Sequence, residues 1–272
     1  MKAIRIFSIS IFLVLAGLTA LTFTRYLAED HTPPVITCDS EILAINVTDD
    51  ETVLCQGITA WDNQDGDLTS QVFVEHTSGL IDANTAKVTY AVFDSSDNVA
   101  KLTRYVRYTD YKKPKFQITK PLIYKMGEQI TLLDRLVVSD VVDGDITSQL
   151  RLTMSYLSNS AAGRYPIMLQ ATNSLGDTAF LPVTVIVVGN SPRLPEITLT
   201  DYLIYVPAGT KLLPRQYLDS VRDPGAAKQP GLEKVAVDVG MLDMETPGVY
   251  EIIYSYSNGV LGCETILTVV VE

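Results

Sequence analysis

Aspartate residues are concentrated in two short segments whose carboxylates could together bind a cation. The segments are residues 62–67 and 140–145, and each contains the sequence Asp-Gly-Asp. Calcium takes about six to eight oxygen ligands, which carboxylates on loops can supply. The spacing is not that of an EF-hand, because no glutamate stands at the twelfth position. The candidate calcium ligands are Asp62, Asp65, Asp67, Asp94, Asp140, Asp143 and Asp145.

The same segments have a second interpretation, in which the aspartates stabilise tight turns. Asp62 would cap a turn, Gly66 would adopt a positive φ, and Asp67 would accept a hydrogen bond from a nearby backbone N–H. Residues 140–145 repeat this arrangement. The sequence favours the turn interpretation, so we predict no cofactor and keep calcium as the alternative.

Three cysteines are present, and two of them could form a disulfide outside the cytoplasm. Cys38 and Cys55 lie where the first two strands are expected, and closing a loop of this length would contribute about 3 kcal/mol. The alternative is a pair of buried thiols. Cys263 lies on the last expected strand, where we expect a buried and unreactive thiol.

Residues for other kinds of chemistry are scarce. His31 and His76 are the two histidines, and the nucleophile-elbow, phosphate-loop, zinc-protease and Cys-x-x-Cys motifs do not occur. A glycosidase with two distant carboxylates has no motif to recognise, but small sandwiches leave little room for a deep cleft. We therefore predict no catalytic residues and no enzymatic activity. Trp61, the single tryptophan, could stack on a sugar, but we predict that it packs in the core.

An apolar segment at the N-terminus is expected to form a transmembrane or signal helix. Residues 6–24 carry no charge, and Lys2, Arg5 and Arg25 flank them. A helix of this length spans roughly 28 Å, close to the thickness of the hydrocarbon core. The excess of positive charge on the N-terminal side predicts a cytoplasmic N-terminus. We predict a single-pass anchor in the cell membrane with the C-terminal region extracellular, and a cleaved leader giving a secreted protein is the alternative.

The rest of the sequence consists of three related segments with the pattern of β-strands. The heptapeptide at residues 65–71 recurs at 143–149, with six of seven positions identical. Proline-containing starts at Pro33, Pro114 and Pro195 mark one copy each. Apolar and polar residues alternate within the copies, as is typical of strands with one buried face. Several short strands separated by turns predict small β-sandwiches.

The repeated pattern resembles the bacterial immunoglobulin-like repeats of the DUF5011 type, which also occur in a pesticidal crystal protein. The resemblance is carried by the Pro-Pro-Val-Ile-Thr start at 33–37 and by the Asp-Gly-Asp motifs at 65–67 and 143–145. The third copy lacks this motif at 219–225 but keeps a Gly-Val-Tyr strand at 248–250. The resemblance implies seven-stranded immunoglobulin-like sandwiches in tandem and no catalytic activity.

These expectations combine into an all-β architecture, with three tandem immunoglobulin-like β-sandwich domains after the N-terminal helix. The predicted divisions are a signal anchor with a short linker at 1–30, domain 1 at 31–111, domain 2 at 112–190, and a degenerate domain 3 at 191–272.

The sequence predicts a non-enzymatic bacterial cell-surface protein that displays these domains for adhesion, protein interaction or spacing. The formal net charge of −11 argues against nucleic-acid binding. The expected partners are the membrane, through the N-terminal helix, and an unknown protein or glycan ligand. The alternative is a carbohydrate-binding or cell-wall-associated accessory module that serves an enzyme on another chain.

Overall fold

The computed structural model describes residues 2–28 and 30–272, with the side chains of residues 2–9, 25, 27, 28, 154 and 155 outside this description. In this part of the chain one α-helix precedes short β-strands, 3₁₀ turns and loops. The strands form six sheets, and the chain divides into two compact units, Met1–Asp110 and Tyr111–Glu272. The predicted all-β, sandwich-like class is confirmed, whereas the division into three domains stays a prediction.

The N-terminal helix, α1, runs over Lys2–Ala28. Its side chains at residues 10–24 are all exposed. The hydroxyls of Thr19, Thr22 and Thr24 donate to backbone carbonyls three residues earlier, at 2.9–3.0 Å. These polar groups are therefore satisfied within the helix itself.

No helix in the described part of the chain is long and apolar enough to cross a membrane. The side chains of Lys2, Arg5 and Arg25, whose charges set the predicted orientation, lie outside that part. The membrane anchor and its orientation stay predictions.

Unit 1 contains a three-stranded and a four-stranded sheet. Val88, Tyr90 and Val92 are buried between the sheets, and the alternation around them is the pattern that predicted a strand. The first sheet has the order β1 (Val35–Cys38), β3 (Ile58–Asp62) and β4 (Gly66–Asp67). The second has the order β2 (Ile42–Ile45), β7 (Val99–Tyr108), β6 (Thr85–Phe93) and β5 (Phe73–Thr77), with 3₁₀ turns at Glu51–Cys55 and Thr69–Gln71.

Unit 2 contains two further pairs of sheets. The first pair consists of β8 (Lys115–Ile118), β10 (Leu136–Asp140) and β11 (Gly144–Asp145), and of β9 (Ile123–Lys125), β14 (Thr178–Val188), β13 (Gly163–Thr172) and β12 (Arg151–Ser155). The second consists of β15 (Glu196–Leu199) and β17 (Leu218–Arg222), and of β16 (Leu203–Val206), β20 (Gly262–Val271), β19 (Gly248–Ser257) and β18 (Ala236–Asp238). The 3₁₀ turns are Leu132–Asp134, Thr147–Gln149, Pro214–Tyr217 and Leu232–Lys234.

The two pairs of sheets in unit 2 share one hydrophobic core. Buried residues of both pairs, such as Leu169 and Leu267, belong to one continuous cluster. The backbone N–H of Phe116 donates to the hydroxyl of Tyr205 at 3.0 Å, and this hydroxyl belongs to the other pair. The predicted boundary at residue 190 therefore separates two sets of strands that pack on each other.

A buried arginine on β7 joins the strands of unit 1 to the 3₁₀ turn at Glu51–Cys55. Arg104 is 1% exposed, and its Nη2 donates to the carbonyls of Leu54 and Gln56 at 2.8 and 2.9 Å. The hydroxyl of Tyr90 donates to the Leu54 carbonyl at 2.6 Å, and the guanidinium lies 5.6 Å from the centre of its ring. Arg104 thus closes one side of the core with hydrogen bonds.

Candidate cation site

Three buried aspartate side chains converge in unit 1. Asp30, Asp62 and Asp94 each present a carboxylate oxygen, and these oxygens lie within 4.8 Å of one another. The side chains are 7%, 1% and 7% exposed, respectively. Burying several carboxylates together is unfavourable unless donors or a cation compensate their charges. We call this group the aspartate triad.

A different segment of the chain holds each member of the aspartate triad. Asp62 is the last residue of β3 and faces inward, as Ala60 and Ile58 do two and four residues earlier on the same strand. Asp94 directly follows β6, at the start of the hairpin loop to β7. Asp30 lies between α1 and β1. The fold of unit 1 therefore assembles the triad from positions that are distant in sequence.

Backbone donors hold all three carboxylates in place, and Asp94 Oδ1 accepts from the N–H groups of Ser96 and Asn98 at 2.9 and 2.8 Å. Asp62 Oδ1 accepts hydrogen bonds from the N–H groups of Gln64 and Asp65, at 2.7 and 2.9 Å. Asp30 Oδ1 accepts one from the N–H of Thr32, at 2.9 Å. The second oxygens, Asp62 Oδ2 and Asp30 Oδ2, accept no backbone hydrogen bond from any described residue. Both of these oxygens face the side-chain amide of Asn63.

Two amide side chains complete the surroundings of the aspartate triad. Asn98 Nδ2 donates to Asp94 Oδ2 and to the backbone oxygen of Asp30, both at 2.8 Å. In one orientation of the Asn63 amide, its nitrogen lies 3.3 Å from Asp62 Oδ2 and from Asp30 Oδ2. The nitrogen-inward orientation satisfies the hydrogen bonds of the bare site, and the opposite one, with the amide oxygen facing the carboxylates, becomes favourable only when a cation lies between them. Such an oxygen set fits a hard cation such as Ca²⁺, with water in the remaining positions.

The Asp94 carboxylate keeps its charge at neutral pH. Burial raises the pKa of Asp94, but hydrogen bonds from the Asn98 side chain and from the N–H groups of Asn98 and Ser96 outweigh burial. The net pKa lies below the ordinary value for an aspartate. The aspartate triad therefore contains negative charge that a cation can balance.

The equivalent place in the first half of unit 2 is occupied by hydrogen-bond donors. Asp140, at the end of β10, matches Asp62, and its Oδ1 accepts from the N–H groups of Val142 and Asp143 at 2.8 and 3.0 Å. Its Oδ2 accepts from Asn173 Nδ2 at 3.1 Å. Asn173 follows β13 as Asp94 follows β6, so an amide replaces the carboxylate that the triad has there.

Tyr111 takes the place of Asp30 in this second copy. Its hydroxyl donates to Asp177 Oδ2 at 2.7 Å and accepts from Asn173 Nδ2 at 3.0 Å. Burial raises the pKa of Tyr111, and the hydrogen bond to Asp177 raises it further, so the hydroxyl stays protonated. In the second copy an amide and a phenol therefore donate hydrogen bonds to the carboxylates of Asp140 and Asp177.

The third copy has one buried carboxylate at the equivalent place, and neutral side chains donate hydrogen bonds to it. Asp223 is fully buried, and its Oδ2 accepts from Asn258 Nδ2 at 3.0 Å and from the Tyr256 hydroxyl at 3.2 Å. The hydrogen bond from Asn258 lowers the pKa of Asp223 most, with further contributions from Gly225 and Tyr256. Only the first of the three copies places three carboxylates together, within the described residues.

The remaining predicted ligands do not join the triad, because backbone donors occupy them in turns and loops. Asp65 accepts from Ser95 N–H at 2.7 Å, and Asp67 accepts from Thr69 N–H at 2.9 Å. In the second copy Asp140 is hydrogen-bonded to Asn173, Asp143 to Ser174 and Asp145 to Thr147. Gly66 and Gly144 have φ values of +74° and +73°, which the turn interpretation needs.

Asp30 was missed by the sequence analysis, although a signal for it exists. It stands three residues before Pro33, and Tyr111 stands three residues before Pro114. Extending the comparison of the copies upstream of these prolines aligns the two residues. Their side chains then fall on the same place in each sandwich.

The three cysteines are half-buried free thiols in the described structure. Cys38 and Cys55 both pack against the core of unit 1. Their disulfide stays a prediction. Cys263 lies on β20 and packs against the core of unit 2.

Cys263 should react with iodoacetamide about a hundredfold more slowly in the folded chain than in urea at pH 8. Burial raises the pKa of its thiol to about 11, and the thiolate is the reactive form. Raising the pH toward 11 should restore the rate. Mass spectrometry of alkylated peptides measures this, and equal rates in folded and unfolded protein would show that Cys263 is not shielded.

The prediction that Trp61 packs in the core is wrong. Its side chain is 63% exposed on the outer face of the sheet β1–β3–β4. Trp61 alternates along β3 with the inward-facing Ala60 and Asp62, so it must point outward.

No protein-family model matches the chain, so the resemblance to DUF5011 repeats stays a prediction. An uncharacterised 81.3 kDa protein of Acholeplasma phage L2 is 28% identical over 113 residues. This match covers 40% of the chain and 15% of the phage protein. The chain thus spans only a small part of the length of this relative.

Solved structures are similar to parts of this chain at low sequence identity. One contains CBM51-2 in complex with GlcNAc and INT domains from Clostridium perfringens ZmpB, with 18% identity, 54% of this chain and 26% of that chain covered, and a TM-score of 0.23. Another is the lipoprotein BT2262 from Bacteroides thetaiotaomicron, with 12% identity, 57% and 98% coverage, and a TM-score of 0.25. Similarities this distant carry no argument about function.

Proposed function

We propose that this chain is a non-enzymatic protein that holds immunoglobulin-like β-sandwich modules outside a bacterial cell, anchored in the membrane by α1. The described part of α1 does not by itself reach the length and apolarity of a membrane span, so the proposal rests on the uncharged sequence at 6–24 together with the exposure of every side chain at residues 10–24. A long run of exposed Leu, Ile and Phe side chains is unfavourable in water, and a bilayer would bury it. Threonine hydroxyls that bond within the helix suit a medium without water.

Several buried polar side chains form hydrogen bonds that stabilise the fold, and this supports the non-enzymatic part of the proposal. Asp140 and Asp223 stabilise turns, and Arg104 closes a core. The two units therefore offer rigid surfaces for display. Loops on such a scaffold are the usual binding elements of sandwich proteins.

Fractionation of bacteria that express the full chain with a C-terminal tag tests the anchor. We expect the intact chain in membranes washed with alkaline carbonate, and removal of the tag by protease added outside the cells. Leu15→Arg places a charge in the middle of α1, at a cost of about 2.5–3.5 kcal/mol to insertion, and should deplete the membrane fraction. A shortened, released product would indicate a cleaved leader, and a cytosolic chain would contradict the proposal.

We also propose that the first sandwich binds one divalent cation at the aspartate triad, with Ca²⁺ as the expected ion. Three buried carboxylates in one copy, against amide and phenol donors in the other two, support this assignment. The cation would stabilise unit 1 and take no part in a reaction.

Terbium luminescence tests the cation site directly. Tb³⁺ replaces Ca²⁺ on oxygen ligands, and Trp61 is next to Asp62 and can sensitise its emission. We expect emission that saturates at one ion per chain and that Ca²⁺ displaces. Asp94→Asn should abolish this emission, whereas Asp223→Asn in unit 2 should preserve it. Emission that is insensitive to Asp94→Asn would exclude the triad.

The second candidate function is a carbohydrate-binding or cell-wall-associated accessory module. One observation favours it, namely the exposed indole of Trp61. Pull-down of the full chain on purified cell-wall sacculi tests this candidate, and a chain that stays unbound would contradict it.

A further inference from the structure

The outer face of the sheet β1–β3–β4 in unit 1 places an aromatic ring beside polar groups. Trp61 lies on the middle strand, opposite Val35 on β1 and Asp67 on β4. Cross-strand partners point to the same side of a sheet, so these three side chains are neighbours. One step along the same face, the hydroxyls of Thr37 and Thr59 are hydrogen-bonded at 2.8 Å. We call this surface the Trp61 face.

The fold does not require an apolar pair at this position. In the second copy the pair that corresponds to Val35 and Trp61 is Lys115 and Ser139, and in the third copy it is Glu196 and Arg222. Both of these pairs are polar, and both sheets form. Val35 and Trp61 are 62% and 63% exposed, so they add little to the stability of the core. Their apolar surface is therefore available to a ligand.

We infer that the Trp61 face binds an uncharged saccharide, which stacks on the indole and donates hydroxyl hydrogen bonds to Asp67. This inference rests on the second candidate function and names its binding site. A sugar ring has an apolar face of C–H groups and a rim of hydroxyls. The first complements an indole, and the second complements a carboxylate and threonine hydroxyls.

The charges on this face select against anionic ligands. Asp67 accepts hydrogen bonds from Thr69, which lower the pKa of its carboxyl, so it is ionised at neutral pH. The chain as a whole has a net charge of −11. An acidic polysaccharide or an anionic lipid surface would be repelled, whereas a neutral saccharide would not.

The area of the Trp61 face also fits a small ligand better than a protein. A stable protein interface buries about 800 Å² on each partner and is built around several apolar anchors. The Trp61 face has one aromatic side chain and one valine, with hydroxyls and a carboxylate around them. A single stacked sugar ring matches this composition.

Intrinsic fluorescence of the full chain tests the inference, because Trp61 is its single tryptophan. The chain is kept in a detergent without a sugar headgroup, and it is titrated with the oligomers chitohexaose and cellohexaose. We expect a blue shift of the emission and about a twofold drop in quenching by acrylamide at saturation. An emission spectrum that changes with neither oligomer would overturn the inference.

Single-residue variants distinguish stacking of the sugar on the indole of Trp61 from effects common to any exposed aromatic residue. Trp61→Ser installs the residue that the second copy has at Ser139, so the fold should be kept, and calorimetry should show at least a tenfold loss of affinity. Asp67→Asn should weaken binding several-fold. Phe93→Ser, which removes an exposed aromatic residue of β6, should change nothing. Equal affinity for wild type and Trp61→Ser would overturn the inference.

The cell-wall pull-down distinguishes the site from the function on which it rests. If wall binding persists in Trp61→Ser, the accessory function stands and the Trp61 face is not its site. If the wild-type chain binds no wall but binds an oligomer with Trp61 involved, the face is supported and the wall is not the target.

Discussion

Adding saturating Ca²⁺ to chelator-treated protein should raise the unfolding temperature of unit 1 by roughly 10 °C or more. Binding to the native state alone, at a hundred times the dissociation constant, stabilises it by about 2.7 kcal/mol. For a small domain, each kcal/mol shifts the midpoint by about 4–8 °C. The bare aspartate triad has three carboxylates within 4.8 Å, so the ion also relieves their repulsion. Scanning calorimetry of the full chain measures this shift.

Two variants with matched geometry provide the controls for calcium. Asp94→Asn removes one carboxylate of the triad, and combined with Asn98→Asp it installs the pair that Asn173 and Asp177 form in the second copy, so this variant should stay folded without calcium and lose the calcium response. Asn173→Asp should destabilise unit 2, because it places a second carboxylate 3.1 Å from Asp140 in a buried position. An unfolding temperature that is the same with calcium and with chelator would contradict the cation site.

The local pattern of the sequence was sufficient to predict the long strands. Val88, Tyr90 and Val92 alternate with more polar residues in β6, and the apolar runs that close the second and third copies form β14 and β20. These strands are long, rich in β-branched residues and joined by short hairpin loops. Each of these signals lies within a short stretch of sequence, so the strands can be predicted without knowing the rest of the fold.

Contacts between distant segments could not be predicted in the same way. The strands β2, β9 and β16 pair in parallel with the last strand of their own copy, which no local pattern specifies. Asp30 joins Asp62 and Asp94 for the same reason, since only the closed sandwich brings the three residues together. Asp62 and Asp94 were among the predicted candidate ligands, whereas Asp30 was recognised only from the folded structure.

The error at Trp61 has a different origin. Tryptophan is buried on average, and this average favours a core position for Trp61. The alternation of Ile58, Ala60 and Asp62 places Trp61 on the opposite face of β3, and this argument needs only the sequence.

Replacing Arg104 by alanine should lower the free energy of unfolding of unit 1 by roughly 3–5 kcal/mol. The substitution leaves the Gln56 carbonyl without the donor it has in the native structure, and it opens a cavity beside Tyr90. Arg104→Met fills part of that cavity and should cost less than alanine. Arg104 Nε and Nη1 have no hydrogen-bond partner among the described residues, and the ion pair of Nη1 with Asp39 at 3.5 Å involves an exposed carboxylate, so an apolar replacement loses little at these two atoms.

Arg107→Ala is the control for the arginine prediction, because Arg107 lies on the same strand with an exposed side chain. Both variants remove one positive charge from β7, but Arg107→Ala should change stability by no more than about 0.5 kcal/mol. Urea unfolding of the full chain gives both values, with the first transition assigned by the calcium response. Equal losses of unfolding free energy in Arg104→Ala and Arg107→Ala would contradict the prediction. The hydrogen bonds of Arg104 to Leu54 and Gln56 would then add nothing to stability beyond the effect of its charge, and the 3₁₀ turn would be held against β7 by the packing of other residues.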